Sequence, residues 1–220
     1  MFISKKYKFL FIHIAKAAGS TISIMFKDIH GLKGKQREDP EPIEHHMGAS
    51  DLLKKFPECK TYFKFAIIRN PFDRLLSTYS EFKNDPSRKN RFGFKPWPTN
   101  INSYKNFDDF CKNLSNSEWI MDPHFIPQSD QLMEGGRLIV DYVVRFENLF
   151  NDMLQIMDKI GVNEKILNVY LKQYHRITRG NHRKWHYQDH YNTVTKKIVE
   201  DIYQLDFKNF GYKWEKNNEA

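Results

Sequence analysis

The chain has only two cysteines, Cys59 and Cys111, and neither stands in a CxxC pair or at a spacing typical of metal ligands. This scarcity excludes a disulfide-stapled scaffold and a zinc ribbon, and it predicts reduced thiols. No apolar run approaches the roughly 18 to 20 residues that span a bilayer. The first residues also lack the apolar region and small-residue cleavage site of a signal peptide. We therefore expect a cytoplasmic protein without a membrane span.

The composition is that of a globular protein with a basic surface. The 220 residues are 40% hydrophobic and 28% charged, which predicts a single domain over residues 1–220. The net charge of +8 attracts anions such as nucleic acid, an anionic polysaccharide or a phosphorylated cofactor. Lysine and arginine are spread along the chain without a long basic tail, so a basic nucleic-acid-binding module is kept only as an alternative.

An anion site is predicted near the start of the chain. The apolar run FLFIHI over residues 9–14 breaks into the small-residue segment AKAAGST over 15–21, and residues at helical spacing follow. A buried strand that turns into a helix leaves unpaired backbone N–H groups above the turn. Lys16 adds a positive charge, and the hydroxyls of Ser20 and Thr21 add donors. The expected ligand is a phosphate or a sulfate group.

A second basic turn follows the next predicted strand. Residues 62–68 read as a strand, Arg69 ends it, and Pro71 begins an amphipathic helix that carries Ser77. Strands that alternate with helices predict a parallel sheet covered by helices on both faces, with a P-loop-like arrangement. Ligands bind beyond the carboxyl ends of such strands. If the two strands are neighbours, Lys16 and Arg69 face one crevice and hold two separated anionic groups of one ligand.

The remaining elements are predicted from periodicity and from turn residues. We expect helices over 49–56, 107–114, 146–160 and 193–205, a strand over 138–145, and loops over 84–106 and 174–189. The apolar stripe of Ile198, Ile202 and Leu205 is predicted to lie in the core. The loop over 174–189 is basic and aromatic, which favours a part in covering a nucleotide or holding a sugar acid.

The order of residues disfavours a magnesium-dependent nucleoside triphosphatase. A Walker A loop places its lysine after the last glycine, followed by a hydroxyl that binds magnesium. Here Lys16 precedes Gly19, and no apolar strand ends in an acidic residue suited to the second magnesium ligand. A nucleotide-dependent small-molecule kinase nevertheless stays open as an alternative.

Two segments resemble a known family. FIHIAKAAGSTI over 11–22 is similar to the 5′-phosphosulfate loop of sulfotransferases that use 3′-phosphoadenosine 5′-phosphosulfate (PAPS), although Ala15 and Ala17 stand where Pro and Thr are more usual. FAIIRNPFDRLLSTY over 65–79 resembles the 3′-phosphate motif of those enzymes. The family is the family-2 carbohydrate group, which includes heparan sulfate 2-O-sulfotransferase. The likeness continues through residues 46–52, 127–128, 144–147 and 206–212.

The resemblance implies how the donor is held. Lys16 and the segment Ala18, Gly19, Ser20 and Thr21 would bind the 5′-phosphosulfate, and Arg69 and Ser77 would bind the 3′-phosphate. Lys16 would also stabilise the charge that develops as the product, adenosine 3′,5′-bisphosphate (PAP), leaves. No metal is expected. In the basic aromatic loop, Arg183 is a further candidate for donor binding.

Histidine is the residue type expected to take the proton of the acceptor hydroxyl. His46 matches the position of the family's catalytic histidine, and its neighbour His45 is the alternative base or an acceptor-binding residue. His124 and Gln128 are candidates for lining the acceptor cleft. The sequence thus predicts a PAPS-dependent sulfotransferase that acts on a hydroxyl, most simply of a carbohydrate.

Overall fold

A computed structural model describes residues 1–31, 46–84, 101–163, 165–167, 169–170 and 186–214. The strands in this part of the chain are β1 (Phe2–Ser4), β2 (Phe9–Ile12), β3 (Phe63–Ile68), β4 (Met133–Glu134), β5 (Arg137–Leu138) and β6 (Tyr142–Arg145). The α-helices are α1 (Gly19–Ile29), α2 (Ala49–Lys55), α3 (Pro71–Asn84), α4 (Phe107–Leu114), α5 (Gln128–Leu132), α6 (Leu149–Ile160), α7 (Thr193–Ile202) and α8 (Gln204–Phe210).

The central sheet has the spatial order β1-β2-β3-β6, and β4 pairs with β5 in a separate hairpin. The β2–β3 and β3–β6 pairs are parallel, whereas β1 runs antiparallel to β2. The predicted α/β class with a parallel sheet is confirmed, and the antiparallel edge strand is a correction to it. A strand of three residues is too short to give a periodic signal in the sequence.

Both faces of the sheet are covered. Residues Phe9 to Ile12 of β2 alternate between the two faces, and each of them is 0% exposed. Phe9 and Phe11 contact the ring of Phe26 on α1, and buried residues of α2, α6 and α8 belong to the same core. A strand that is apolar on both sides is typical of a parallel sheet between two helical layers.

The two basic turns meet at one edge of the sheet. Ile12 near the end of β2 lies opposite Ala66 of β3, so the chain leaves both strands on the same side. Nη1 of Arg69, directly after β3, donates a hydrogen bond to the backbone carbonyl of Lys16 at 3.0 Å. The predicted juxtaposition of Lys16 and Arg69 is therefore confirmed.

A second hydrophobic core lies around α3, α4 and α7, and it is rich in aromatic side chains. Phe72 of α3 contacts Tyr191 edge to face at 5.2 Å between ring centroids. The other buried aromatic members of this core are Tyr79, Phe82, Phe107, Phe110, Trp119, Phe125, Tyr187 and Tyr203. This aromatic core fixes α3, the helix that follows Arg69, against the rest of the molecule.

Two predicted elements are shorter in the structure. The predicted strand over 138–145 begins only at Tyr142, because Gly135 and Gly136 adopt positive φ values of 56° and 76° and form the turn of the β4–β5 hairpin. That hairpin takes up Leu138. The predicted helix over 146–160 begins with a 3₁₀ turn over Phe146–Asn148 before α6 and ends at Gly161, as predicted.

The apolar stripe predicted for the last helix is wrong by one position. Leu205 is 45% exposed, and Ile198 and Ile202 are only half-buried. The buried residues are instead Thr195, Val199, Tyr203 and Asp206. The helix is interrupted between α7 and α8 at Tyr203, so one helical period does not run from Ile198 to Leu205.

Among the described residues, no helix combines the length and the apolar character needed to cross a membrane. The cytoplasmic location stays a prediction. Cys59 and Cys111 are both buried and free, as predicted.

The packing of α7 and of the start of α8 predicts different costs for two truncations. Val199→Ala removes buried methyl groups and should lower the free energy of unfolding by about 2 kcal/mol. Leu205→Ala, on the exposed side, should change it by less than about 0.5 kcal/mol. Urea unfolding of both variants measures the difference. Equal losses would mean that the helix packs through the stripe predicted from the sequence.

Candidate active site

The loop between β2 and α1 has a strained main chain. Lys16 and Ala18 have φ values of 66° and 64°, in the left-handed region that residues with a Cβ seldom adopt. Such residues cost about 1 to 3 kcal/mol each and persist where the surroundings hold them. Ala15 and Ala17 alternate with them and are buried, at 1% and 0% exposure. Positions 15 and 17 therefore require small side chains because they are buried, whereas Lys16 and Ala18 lie nearer the surface.

Gly19 is required by a close approach. A Cβ at this position would lie 1.9 Å from Cδ2 of His13, so any other residue would collide with that ring. His13 follows β2 directly and is 3% exposed. The glycine of the loop is thus the surface on which a buried histidine packs.

The start of α1 offers backbone donors. Among the described residues, no side chain caps the helix at Ala18, and no acidic residue lies in its first turn. The N–H groups of Gly19, Ser20 and Thr21 come before the first helical hydrogen bond, which runs from Ile22 N–H to the carbonyl of Ala18 at 3.2 Å. These amides, with the positive end of the helix dipole, suit an anionic group.

Two arginines donate hydrogen bonds to consecutive backbone carbonyls of the loop. Arg69 donates to the carbonyl of Lys16, and Nε of Arg74 on α3 donates to the carbonyl of Ala15 at 3.2 Å. The other end of the Arg74 guanidinium donates through Nη2 to the carbonyls of His124 at 3.1 Å and Ile126 at 3.0 Å. One side chain therefore connects the loop, α3 and the turn that carries His124.

Arg74 is 1% exposed and makes these bonds to neutral carbonyls. Burial lowers the pKa of its guanidinium, whereas Tyr203, Asp206 and Asp122 raise it. Because an arginine retains its charge in proteins, the site contains a permanent buried cation. Its contribution is to fix the geometry, since its donors are directed to the backbone.

Both cations predicted to bind the donor are paired with carboxylates of α3. Nζ of Lys16 forms an ion pair with Oε2 of Glu81, and Nε of Arg69 donates to Oδ2 of Asp73 at 2.6 Å. Asp73, Ser77 and Glu81 follow one another at four-residue spacing, so they share one face of the helix. All three are half-buried. Ser77 thus lies on the helix face that also carries the partners of Lys16 and Arg69.

Three histidines form a buried row beside the loop. The ring of His46 lies 5.0 Å from that of His13 and 4.6 Å from that of His124, measured between centroids. Nδ1 of His46 faces the carbonyl of His13 at 3.5 Å. His46 is 8% exposed and His124 is 7% exposed. The structure thus brings together His46 and His124, two of the predicted site residues.

Asp122 contacts His124 through both its backbone and its ring. Its Oδ1 accepts from the backbone N–H of His124 at 2.7 Å and lies 2.8 Å from His124 Nδ1. Asp122 is 1% exposed, and its Oδ2 has no hydrogen-bond partner among the described residues. A buried carboxylate therefore contacts His124, the histidine at one end of the row.

Gln128 is reassigned from acceptor binding to support of the main chain. Its Oε1 accepts from Arg69 N–H, and its Nε2 donates to the Arg69 carbonyl, both at 2.9 Å. The side chain is 0% exposed and also donates to Asp206 at 3.2 Å. An amide that is fully buried and bonded on both ends offers nothing to a sugar. It fixes the backbone from which the Arg69 side chain projects.

Two predicted site residues, His45 and Arg183, lie outside the described residues. Among those that are described, no group of three or more His, Cys, Asp or Glu side chains is suited to hold a metal ion. Metal independence stays a prediction.

Comparison with known proteins identifies the family. The model of the sulfotransferase family matches residues 1–213 of the chain. The chain belongs to the sulfotransferase family. This membership confirms the predicted family and enzyme class, and it favours the sulfotransferase interpretation over the kinase and nucleic-acid-binding alternatives.

Several similar proteins are named as carbohydrate sulfotransferases. The chain is 25% identical to carbohydrate sulfotransferase 10 of Xenopus laevis over 253 residues, covering 97% of this chain and 67% of that protein. It is 25% identical to the Homo sapiens protein of that name, covering 96% and 66%. Carbohydrate sulfotransferase 14 of Mus musculus is 23% identical, covering 96% and 59%. The chain thus spans about two thirds or less of the length of these relatives.

Four residues of this sulfotransferase site were missed by sequence reasoning: Arg74, Glu81, Asp122 and His13. The sequence does carry a signal for Arg74, because it stands at four-residue spacing with Thr78 and Phe82, both buried. A charged residue on a buried helix face indicates a buried polar contact. The other three depend on contacts between segments that are distant in the sequence.

Replacing Arg74 should destabilise the fold strongly. Arg74→Met keeps the apolar stem but leaves the carbonyls of Ala15, His124 and Ile126 without these donors, at an expected cost of about 3 kcal/mol. The matched control is Arg137→Met on the exposed strand β5, with a change below about 0.5 kcal/mol. Denaturant unfolding measures both. A loss at position 74 no larger than that of the control would contradict the role given to Arg74.

Proposed function

We propose that this sulfotransferase moves a sulfuryl group from PAPS to a hydroxyl group of a carbohydrate. The observation that carries the proposal is the 3.0 Å hydrogen bond from Arg69 to the carbonyl of Lys16. It brings two cationic turns together at one edge of the sheet, as a donor with a phosphosulfate at one end and a 3′-phosphate at the other requires. The family match over residues 1–213 supports the same assignment.

The residues of the loop fit the 5′-phosphosulfate end of the donor. The N–H groups of Gly19, Ser20 and Thr21 have no capping side chain among the described residues, and Lys16 stands beside them. Arg69 and Ser77 are assigned to the 3′-phosphate. Binding requires Lys16 and Arg69 to exchange their partners Glu81 and Asp73 for the donor, in whole or in part.

The chemistry is an in-line displacement at sulfur. The O–H bond of the acceptor breaks and its proton passes to a ring nitrogen of His46, while the acceptor oxygen bonds to sulfur. The bond between sulfur and the 5′-phosphate oxygen breaks, and its electron pair stays on that oxygen. Lys16 stabilises this developing charge more strongly than the ground state, which lowers the barrier.

The acceptor class rests on the relatives and on charge. The relatives at 25% identity are named carbohydrate sulfotransferases. The net charge of +8 supports an acceptor that is itself anionic. His45 is kept as a candidate for acceptor binding. His124, whose Nδ1 is bonded to Asp122, is better suited to a role beside His46 than to direct recognition of a sugar.

Binding of PAP tests the donor assignment. The wild-type protein should bind PAP without magnesium, and Arg69→Ala should weaken binding about 10- to 100-fold, because a charge-assisted contact is lost. Calorimetry with and without magnesium measures this, with Arg137→Ala as a control for overall charge and circular dichroism as a control for folding. Equal affinity in Arg69→Ala, or binding only of ATP with magnesium, would overturn the assignment.

Glu81 should oppose donor binding. Glu81→Gln removes the carboxylate that pairs with Lys16 and repels an anionic ligand, so PAP affinity should rise about fivefold, equivalent to about 1 kcal/mol. Glu200→Gln breaks a comparable lysine pair on α7 and should leave the affinity unchanged. The same calorimetric titration measures both variants. Weaker binding in Glu81→Gln would show that Glu81 helps to hold the donor site instead.

A further inference from the structure

The row of buried histidines ends on a carboxylate, and this arrangement extends the reaction proposed above. We propose that Asp122 and His124 are positioning residues for His46, the general base. Asp122 fixes the ring of His124, which packs against His46. The buried carboxylate favours the positive charge that His46 gains with the acceptor's proton. The inference rests on the proposed function in that His46 is taken as the base of sulfuryl transfer.

The contact between Asp122 and His124 defines the ring of His124. One oxygen of Asp122, Oδ1, lies 2.7 Å from the backbone nitrogen of His124 and 2.8 Å from its Nδ1. A carboxylate can only accept, so Nδ1 of His124 is the nitrogen that carries hydrogen. The ring is also packed edge to face against Phe82, at 5.2 Å between centroids. Its rotation is therefore restricted from two sides.

His124 in turn restricts His46. The two rings lie 4.6 Å apart with an interplanar angle of 64°, and His13 contacts the ring of His46 at 5.0 Å and 69°. The Nδ1 atom of His46 is directed to the carbonyl of His13, at the long distance of 3.5 Å. Because a carbonyl only accepts, this contact favours hydrogen on Nδ1. It leaves Nε2 with the lone pair that a base needs.

The buried negative charge of Asp122 is the basis of its proposed effect on His46. Asp122 is 1% exposed, and its Oδ2 lacks a hydrogen-bond partner within the described part of the chain. A carboxylate in such a place is costly unless positive charge is nearby. Arg74 supplies one charge, but its donors go to the carbonyls of Ala15, His124 and Ile126. A proton arriving on His46 places a second positive charge one ring away.

The proposed step moves one proton, from the acceptor hydroxyl to His46. The hydrogen lost by the acceptor hydroxyl ends on His46, and neither Asp122 nor His124 changes its protonation during the transfer. The charged and titratable groups that the described contacts bring against the two rings include Asp122, Arg74 and His13. Asp122 contributes a negative charge beside these rings. Its removal should therefore lower the affinity of His46 for a proton.

The test is Asp122→Asn, which keeps the shape and an acceptor oxygen but removes the charge. NMR of protein labelled at histidine ¹³Cε1 follows the titration of His46, with its signal assigned by His46→Asn. The midpoint should move to lower pH, because the protonated form loses its anionic neighbour. With PAPS and a carbohydrate acceptor, kcat should fall about tenfold or more, while the KM for PAPS stays within about twofold.

Two further variants keep the test decisive. Asp152→Asn changes another buried carboxylate that accepts from a backbone N–H, that of Arg145 at 2.7 Å, and should alter neither the midpoint nor kcat. His124→Gln should lower kcat like Asp122→Asn, and the double variant should lose little more, since the two residues act together. His124→Gln also replaces Asp122→Asn if the latter fails to fold.

An unchanged His46 midpoint together with wild-type kcat in Asp122→Asn and His124→Gln would overturn the inference. The titration needs neither donor nor acceptor. If the wild-type protein binds no PAP and transfers no sulfuryl group, the proposed function fails, while the midpoint alone still decides whether Asp122 acts on His46.

Discussion

The buried guanidinium of Arg74 joins three segments that are far apart in the sequence. It donates to the carbonyl of Ala15 in the β2–α1 loop and to those of His124 and Ile126 in the turn before α5, while its own backbone lies in α3. The strained loop, the histidine row and the helix that carries Ser77 are therefore held in one relative arrangement. Hydrogen bonds from a charged donor to several buried carbonyls are strong and directional, which suits this task.

Helix α3 balances the charge of the site as well as its geometry. It carries Asp73 and Glu81, the partners of Arg69 and Lys16, on the same face as Ser77. A basic protein of net charge +8 would otherwise present these two cations to any anion. With the carboxylates in place, a ligand must compete with them at both cations. Under the proposed function, that condition favours a donor with two separated multiply charged groups over small inorganic anions.

The meeting of Lys16 and Arg69 could be predicted because each of them follows the end of a strand. The position of Lys16 after β2 and Arg69 after β3 depends only on local sequence and on a rule for parallel sheets. Gln128 was misassigned because an exposed polar loop and a buried clamp look alike in sequence. Leu205 was misplaced because the interruption at Tyr203 gives no sequence signal, and a helical period extended across it points to the wrong side.

The contact between Gly19 and His13 connects the β2–α1 loop with the histidine row. The ring of His13 occupies the space that a side chain at position 19 would fill, and the same ring contacts His46. The sizes of the side chains at positions 13 and 19 therefore cannot be changed independently. A larger residue in place of Gly19 would displace the ring of His13, and with it the histidine row. A larger side chain in place of His13 would collide with the β2–α1 loop at Gly19. The β2–α1 loop and the histidine row are under a common steric constraint.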